Sequence, residues 1–361
     1  MTQKRQATSI TQVAAAAQVS IQTVSNAINY PDRVKPETRQ RVLQAIQALD
    51  YTPNLAARRL RSIHTTSVAV RIDSNAVTES GARGLYAGFI QDEFVYQLTA
   101  AGERRGVKVV AYTAEDSEQE ITQLKRLVNS RDADGIVLTS TVENDPRLDV
   151  LASMRVPFLS FGRPWGAENL YSPEHAWVDV DGGFGTAAAT RMLWARGARR
   201  IAFIGWVMHR TVPGRMQSTA EDRRVGWVKA LRELNPAFTA MTARKWEVLG
   251  EESVAKGREG ARRLLSQHPD VEAIVCASDT LALGALLETT SAARSDVIIC
   301  GFDNSPVSKE FGFSSIDQNL DQVADAALDV LTSVTSRVRR PTDQGQAEVA
   351  HVLLQPQLIE R

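Results

Sequence analysis

Hydrogen-bonding side chains are concentrated in one short segment near the N-terminus, residues 19–29, VSIQTVSNAIN. Ser20 can cap a helix that begins after it, because a side-chain oxygen there accepts a bond from an otherwise unpaired amide. The valine and isoleucine four residues apart in this helix share one face. Another face then carries Ile21, Gln22 and Asn26, a front that can enter a major groove and read base edges. An ordinary amphipathic surface helix is the alternative.

The flanking residues supply what a helix-turn-helix needs. The residues SITQ at 9–12 are typical of a helix start, and small residues lie where the first two helices would cross, at Ala14, Ala17 and Ala27. A break at residues 30–33 precedes Pro36, which sits just inside a third helix, where its missing amide costs nothing. The third helix carries an apolar stripe that can close a three-helix core, formed by Val42, Ile46 and Leu49.

A further short helical stretch, residues 54–62, follows Pro53. Its arginines can reach phosphates, and Leu60 has no evident core to join. Proteins that bind the minor groove insert such apolar side chains as wedges between base steps. A linker helix with one isolated leucine is the alternative.

Charge is distributed unevenly along the chain. Residues 1–62 hold nine Lys and Arg against three Asp and Glu, a balance of +6, and the remainder carries −6 because the whole chain has 42 of each. A basic head on an acidic body indicates a module that binds a polyanion. No apolar run is long enough to span a bilayer, and MTQKRQATSI lacks a secretion signal, so we expect a cytoplasmic protein. Cys276 and Cys300 are expected to be buried thiols.

Strand-like and helical segments alternate from Ser67 to Cys300, which predicts parallel sheets covered by helices. The predicted strands include residues 135–138, 177–180 and 246–248. There are too many strands for one compact sheet, so we expect two lobes. Ligands bind beyond the carboxyl ends of such strands. The residues expected at those ends or facing them are Arg163, Trp165, Trp206, Arg223, Ser278, Asp279 and Asp303. They suit a neutral polyol, with tryptophan covering a sugar ring; surface residues and ion pairs on loops are the alternative.

Signals for other chemistry are weak. Residues 183–188 fit a GxGxxA dinucleotide pattern, but the next strand, IAFIGW, ends without the acidic residue that would hold a ribose. No phosphate loop, no nucleophile elbow and no paired metal ligands occur, and the five histidines are scattered. We therefore expect no cofactor, no metal site and no enzymatic activity.

The N-terminal segments SITQVAAAAQVSIQTVSNAIN and RVKPETRQRVLQAIQALDYTPNLAARRLR resemble the DNA-binding head of the lactose-repressor (LacI/GalR) family. The resemblance implies that Ile21, Gln22 and Asn26 read bases, and that Leu60 with its mate in a dimer wedges a palindromic operator. It implies that the other DNA contacts come from Ser20, Thr23, Ser25, Asn29, Tyr51, Asn54, Ala57 and Arg58. Gln18 and Lys35 depart from the family, which often has Gly at the turn and a Ser or Thr cap on helix three.

The rest of the chain resembles the periplasmic-binding-protein-like core of the same family. Arg223, three residues before Gly226-Trp227, matches the arginine that contacts the effector, and Asp303 in GFDN matches its aspartate partner. Ser278 stands where the family usually has Asn. The first lobe departs through the long loop DSNAVTESGARGLYAGFIQDEF, near whose end Phe89 and Phe94 are expected to contact the effector.

These observations predict an all-α helix-turn-helix headpiece with a hinge helix, followed by an α/β two-lobed core of parallel sheets. The expected boundaries are 1–52 for the head, 53–64 for the hinge and 65–361 for the core. Within the core, the first lobe is expected to comprise residues 65–163 and 312–338, and the second lobe residues 164–311 and 339–361. We expect a nucleoid-associated homodimer that binds double-stranded palindromic operator DNA under control of a small sugar-like effector, with no membrane partner. A solute-binding protein and an α/β enzyme are the alternatives.

Overall fold

The computed structural model describes residues 9–29, 33–49, 51, 67–72, 89–141, 145–165, 175–206, 218–339 and 350–361. The chain divides into two compact units, Met1–Ser62 and Ile63–Arg361.

The first unit contains three helices, α1 (Ile10–Ala16), α2 (Ile21–Asn29) and α3 (Pro36–Ala48). Ser9 and Gln12 form a capping box at the start of α1, which satisfies amides that the first turn leaves unpaired. One side chain from each helix is fully buried in the centre of the unit: Val13, Val24 and Val42. The predicted three-helix core is therefore present.

The second unit alternates strands and helices. The strands are β1 (Ser67–Arg71), β2 (Lys108–Tyr112), β3 (Gly135–Leu138), β4 (Phe158–Phe161), β5 (Trp177–Val180), β6 (Ile201–Trp206), β7 (Glu247–Gly250), β8 (Ala273–Cys276), β9 (Ile298–Cys300), β10 (Ser315–Asp317), β11 (His351–Leu354) and β12 (Gln357–Ile359). The helices are α4 (Phe89–Arg105), α5 (Ser117–Asn129), α6 (Pro146–Met154), α7 (Gly182–Ala195), α8 (Ser218–Leu234), α9 (Ala240–Lys245), α10 (Val254–Gln267), α11 (Asp279–Ser291), α12 (Pro306–Phe311) and α13 (Leu320–Arg339).

Two parallel sheets form the two expected lobes. The first sheet has the order β11-β5-β4-β3-β1-β2, and the second has the order β7-β6-β8-β9. An antiparallel ribbon of β10 and β12 packs on the second lobe, since Ile316 lies in its core and Leu358 against it. The central strands read as continuous apolar runs because helices cover both faces, and all six residues of β6 are buried.

The lobe boundaries differ from those expected. β5 pairs with β4 on one side and with β11 on the other, so both strands belong to the first sheet, although the expected boundaries assigned them to the second lobe. β10 was expected in the first lobe and belongs to the second. The reason is that the buried strand β5 extends the first sheet before the chain leaves it, and β11 adds the outer strand when the chain returns. The described chain therefore crosses between lobes at three places, after β5, after β10 and after β11.

Candidate functional site

The helix α2 begins as the sequence predicted. The Thr23 amide donates a 3.0 Å hydrogen bond to Oγ of Ser20, and the two hydroxyls lie 2.8 Å apart. This cap leaves the buried side of α2 to Val24 and Ala27, which pack in the core of the first unit. The opposite side is free to present polar groups.

The predicted front of α2 is accessible. Ile21 is 48% exposed, Gln22 is exposed and Asn26 is half-buried. The Gln22 side-chain amide donates to Oδ1 of Asn26 at 3.1 Å, so the two amides lie side by side one helical turn apart. Gln and Asn are the side chains that pair bidentately with adenine in the major groove.

The remaining predicted DNA contacts have mixed surroundings. Thr23 and Ser25 are half-buried, and Ser20 is exposed. Tyr51 is only 8% exposed and belongs to the hydrophobic core of the first unit. Outside the described part of the chain lie the side chain of Asn29 and the residues Asn54, Ala57, Arg58 and Leu60.

In the second lobe, polar and aromatic groups meet at the carboxyl ends of neighbouring strands. Trp206 ends β6, Ser278 follows β8 and Asp303 follows β9. Because β6, β8 and β9 are adjacent and parallel, their carboxyl ends share one edge. The convergence expected from the sequence is therefore present on this side of the cleft.

Arg223 projects from α8 onto that edge and is 5% exposed. Its Nη1 donates to the Ala277 carbonyl at 2.6 Å and lies 3.6 Å from Oδ1 of Asp303. Its guanidinium carbon lies 3.7 Å from the ring centroid of Phe302 and 5.3 Å from that of Trp206. Nε has no hydrogen-bond partner among the described residues, and a buried donor left unpaired indicates a missing partner.

Asp303 faces Arg223 from a backbone that is held in an unusual conformation, with φ at +116°. The side-chain amide of Gln318 donates to its Oδ1 at 2.8 Å. Burial raises the pKa of the Asp303 carboxyl well above its ordinary value; Arg223 opposes the rise, and the carboxylates of Asp279 and Glu252 add to it. The 3.6 Å Arg223–Asp303 gap is looser than the 2.7–2.9 Å of a charge-assisted hydrogen bond, so both groups retain capacity for a ligand hydroxyl.

Ser278 and Asp279 lie at this edge of the sheet, and their side chains also stabilise the fold. Ser278 is fully buried and caps α11 by accepting from the Leu281 amide at 3.3 Å. Asp279 accepts from the Ser305 amide and hydroxyl, both at 2.7 Å, and from the Ser315 hydroxyl at 2.6 Å. Its carboxylate therefore ties α11 to α12 and β10.

Arg163 was expected to contact the effector, but in the structure its guanidinium pairs with two carboxylates. Its Nε donates to Oδ2 of Asp179 at 2.7 Å, and its Nη2 donates to Oδ2 of Asp222 at 2.9 Å. The Trp165 ring centroid lies 4.5 Å from its guanidinium carbon. Asp179 belongs to the first lobe and Asp222 to α8 in the second, so Arg163 bridges the lobes instead of presenting a free guanidinium to a ligand.

The two phenylalanines of the first lobe that were expected to contact the effector differ in their burial. Phe89 starts α4 and is half-buried. Phe94 is fully buried, and its ring centroid lies 4.5 Å from that of Phe161 in the core of the first lobe. The expectation that Phe94 contacts a ligand is wrong for this arrangement, because its face of α4 packs on the sheet.

Three residues of the site escaped the sequence analysis: Glu252, Asp222 and Gln318. Glu252 lies two residues beyond β7, which runs to Gly250 beside Trp206. The sequence analysis placed residues 246–248 in that strand. Extending the strand to its paired end would have placed Glu252 at the same edge as Trp206.

The GxGxxA pattern is explained by helix packing. The Gly183 amide donates to Oδ2 of Asp222 at 3.0 Å. A Cβ on Gly183 would lie 3.2 Å from the Asp222 carbonyl oxygen of α8, and one on Gly185 would lie 2.9 Å from Cγ2 of Ile316, so both glycines allow close packing of α7. The described residues contain no group of three His, Cys, Asp or Glu that could hold a metal ion. None of their helices is long and apolar enough to cross a membrane.

Comparison with known proteins decides the family. Residues 87–351 match the protein-family model described as "Periplasmic binding proteins and sugar binding domain of LacI family". Residues 9–54 match the protein-family model described as "Bacterial regulatory proteins, lacI family". The chain belongs to the LacI family. This LacI-family chain is therefore a transcriptional regulator, as the resemblance of its N-terminal segments predicted.

Named relatives agree with this assignment. The HTH-type transcriptional regulator CelR of Thermobifida fusca is 32% identical over 313 residues, covering 85% of this chain and 85% of CelR. AglR of Rhizobium meliloti, also an HTH-type transcriptional regulator, is 30% identical over 73% of this chain and 68% of its own. Both are named as regulators, which confirms the prediction that the LacI-family chain is not an enzyme.

Solved structures confirm the fold. A transcriptional regulator CelR–cellobiose complex superposes with a TM-score of 0.66 at 27% identity, covering 98% of each chain. The lac repressor dimer bound to operator and the anti-inducer ONPF superposes with a TM-score of 0.73 at 22% identity, covering 99% of this chain and 98% of that one. The second likeness shows the fold alone.

Proposed function

We propose that this LacI-family regulator binds a palindromic operator as a homodimer and represses genes of carbohydrate metabolism under control of a sugar-like effector bound between its lobes. It acts in the cytoplasm on nucleoid DNA. A dimer is needed because two heads must engage two half-sites. The likeness to the CelR–cellobiose complex supports a sugar as the effector class.

The observation that carries the effector site is the pairing of Arg223 with Asp303. A guanidinium donates to sugar oxygens and a carboxylate accepts from sugar hydroxyls. Nε, which has no hydrogen-bond partner within the described ranges, and the loose Arg223–Asp303 gap leave both groups able to bind such a ligand. Trp206, beside the guanidinium at the same edge, supplies an apolar surface for a sugar ring.

Control of DNA binding follows from differential affinity. An effector that contacts both lobes stabilises the lobe arrangement that it fits, and it changes operator affinity only by the ratio of its affinities for the two states. Arg163 and Asp222 already connect the lobes beside Arg223, so a ligand at Arg223 lies next to a contact that depends on lobe arrangement.

The test uses the full chain in two steps. Selection from random duplex DNA should yield a palindromic site, and binding to it should weaken by about 0.9 log unit per log unit of salt for each phosphate neutralised. Addition of sugars should then change that affinity. The change should disappear in Arg223→Ala and Asp303→Ala, whose ligand-free operator binding stays intact. Absence of any preferred palindrome, with or without sugars, contradicts the proposal.

A further inference from the structure

α2 is the second helix of a helix-turn-helix. The Val19 amide donates to the Ala14 carbonyl at 3.0 Å, and Gln18 turns the backbone with φ at +53°, so α2 follows α1 almost at once. Ala14 and Ala27 are buried in the core that the two helices share. In such a motif the second helix lies in the major groove with its N-terminal residues against the base edges. The accessible side chains in the first two turns of α2 therefore decide which bases this chain reads.

The front of α2 lies in those two turns. Ile21 and Gln22 are exposed and Asn26 is half-buried. Their neighbours have roles in the fold, since Thr23 contributes its amide and hydroxyl to the helix cap and Val24 is fully buried. One apolar side chain and two amides are thus presented to the groove.

The front carries no charged group, and the sequence of α2, IQTVSNAIN, has no Lys, Arg, Asp or Glu. Arg and Lys read guanine by donating to its O6 and N7, and Asp and Glu read cytosine by accepting from its N4 amine. A side-chain amide has both a donor and an acceptor, which matches adenine, whose edge presents N7 as an acceptor and the N6 amine as a donor. The composition of the front therefore favours A·T over G·C base pairs.

The hydrogen bond between Gln22 and Asn26 leaves both amides able to pair with adenine. Nε2 of Gln22 donates one hydrogen to Oδ1 of Asn26 at 3.1 Å. Gln22 keeps Oε1 and the second hydrogen of Nε2, and Asn26 keeps Nδ2 and the second lone pair of Oδ1. Because each amide already holds the other in place, less side-chain freedom is lost when the bases bind.

Ile21 adds an apolar contact at the start of the same front. It precedes Gln22 and is 48% exposed, so much of its side chain lies outside the core. The apolar group that a base pair presents in the major groove is the C5 methyl of thymine, and apolar side chains contact it. This contact favours the same class of base pair as the two amides.

We infer that α2 selects A·T base pairs, with Gln22 and Asn26 each bound to N6 and N7 of one adenine and Ile21 packed on a thymine methyl. The inference rests on the proposed function and adds the identity of bases in each half-site. It assigns to Asn26 the choice of adenine over guanine at its position, because an arginine there would donate to both O6 and N7 of guanine.

The experiment selects the preferred site of the full chain from random duplex DNA and then replaces single bases symmetrically in both half-sites. 7-Deazaadenine removes the N7 acceptor and keeps Watson–Crick pairing, and uracil removes the thymine methyl. We expect 7-deazaadenine at two positions of each half-site to weaken wild-type binding about fivefold or more. Gln22→Ala should abolish the effect at one of these positions and Asn26→Ala at the other. Uracil at one position should weaken binding of the wild type and not of Ile21→Ala.

A change of preference separates base reading from a loss of folding. Asn26→Arg should convert the preference at its position from A·T to G·C by about tenfold or more. The control Gln44→Arg adds the same charge at an exposed position of α3. It should change the affinity for every site by one common factor.

Three outcomes overturn the inference and leave the proposed function standing. The positions that respond to Gln22→Ala and Asn26→Ala in a selected palindrome are G·C, 7-deazaadenine has no effect at any position, or Asn26→Arg keeps the preference for A·T. If selection yields no palindrome, with or without sugars, the proposed function and the inference fall together.

Discussion

The side-chain amide of Gln318 donates a 2.8 Å hydrogen bond to Oδ1 of Asp303. Gln318 lies in the segment that crosses between the lobes, after β10 and before α13, and it is only 4% exposed. The aspartate proposed to bind the effector is therefore held directly by a crossing segment.

Replacement of Gln318 should weaken effector binding through Asp303. Gln318→Ala removes a donor that stabilises the ionised carboxylate, and hydrogen bonds to charged groups contribute about 1.5–3 kcal/mol. We expect roughly tenfold weaker sugar binding by calorimetry, and a loss of binding that begins at higher pH because the pKa of Asp303 rises further. The control Gln322→Ala, on the exposed side of α13, should retain wild-type affinity and pH profile. Equal pH profiles for the two variants would contradict this role.

The Arg163–Asp222 contact predicts a second effect on binding. Asp222→Asn removes the charge that pairs with Arg163 across the lobes at 2.9 Å. A ligand held by both lobes must then supply the free energy of bringing them together, so we expect affinity for a sugar to fall about three- to tenfold. Glu221→Gln, which removes the neighbouring carboxylate that pairs with Arg224 within α8, is the control. Unchanged affinity in Asp222→Asn would show that this pair does not affect lobe closure.

The exposed front of α2 predicts position-specific loss of DNA discrimination. Gln22→Ala and Asn26→Ala should each relax preference at one position of each half-site, at a cost of about 1–3 kcal/mol. Ser25→Ala serves as a comparison on the same helix. The measurement is competition binding against a set of single-base operator variants. A loss of equal size on every variant and on random duplex would place these residues at phosphates instead.

The first unit should gain stability from two changes at helix ends. Gln18 has φ at +53°, a region that costs non-glycine residues about 1–2 kcal/mol, and Lys35 precedes α3 without a side-chain cap bond. Gln18→Gly and Lys35→Ser should each stabilise the unit by about 0.5–1 kcal/mol. Ser9→Ala, which removes the existing cap of α1, should destabilise it by a similar amount. Hydrogen exchange of α1–α3 amides in the full chain measures all three.

His175 predicts acid sensitivity of the second unit. Burial lowers its pKa to about 4, Asp145 opposes the shift and His351 adds to it. Between the ordinary pKa of 6.5 and this value the unfolded chain binds a proton that the folded chain does not, so stability is lost as pH falls. His175→Phe should reduce the stability loss between pH 7.5 and 5.0 by about 2 kcal/mol in urea unfolding. An identical loss in the variant and the wild type would contradict this assignment.

Much of the fold was predictable where a strand is a short apolar run. The sequence analysis placed β3 at Gly135–Leu138 and β5 at Trp177–Val180, as the structure has them. It did not predict α6, whose buried face includes the charged Arg147. It also did not predict the ribbon strand β12, because only three residues pair there and none is fully buried. The amphipathic pattern of α13 is sufficient to predict that helix, although no helix or strand was predicted beyond Cys300.

The residues of the candidate site likewise fall into those that the sequence could predict and those that it could not. Arg223 and Asp303 were identified because they stand beside recognisable neighbours in the sequence. Asp222 and Gln318 were missed because their roles depend on partners 59 and 15 residues away, respectively. The assignment of Phe94 was wrong because the loop before α4 does not reveal which face of that helix packs on the sheet.

The three crossings between the lobes restrict how such a regulator can be rebuilt. Neither lobe is a continuous stretch of chain, so replacing one lobe with that of a relative requires matched junctions after β5, β10 and β11. The first unit, Met1–Ser62, is continuous and can be exchanged at one junction. New DNA targets are therefore accessible by simple fusion, whereas new ligand responses are better obtained by changing individual side chains at the strand ends.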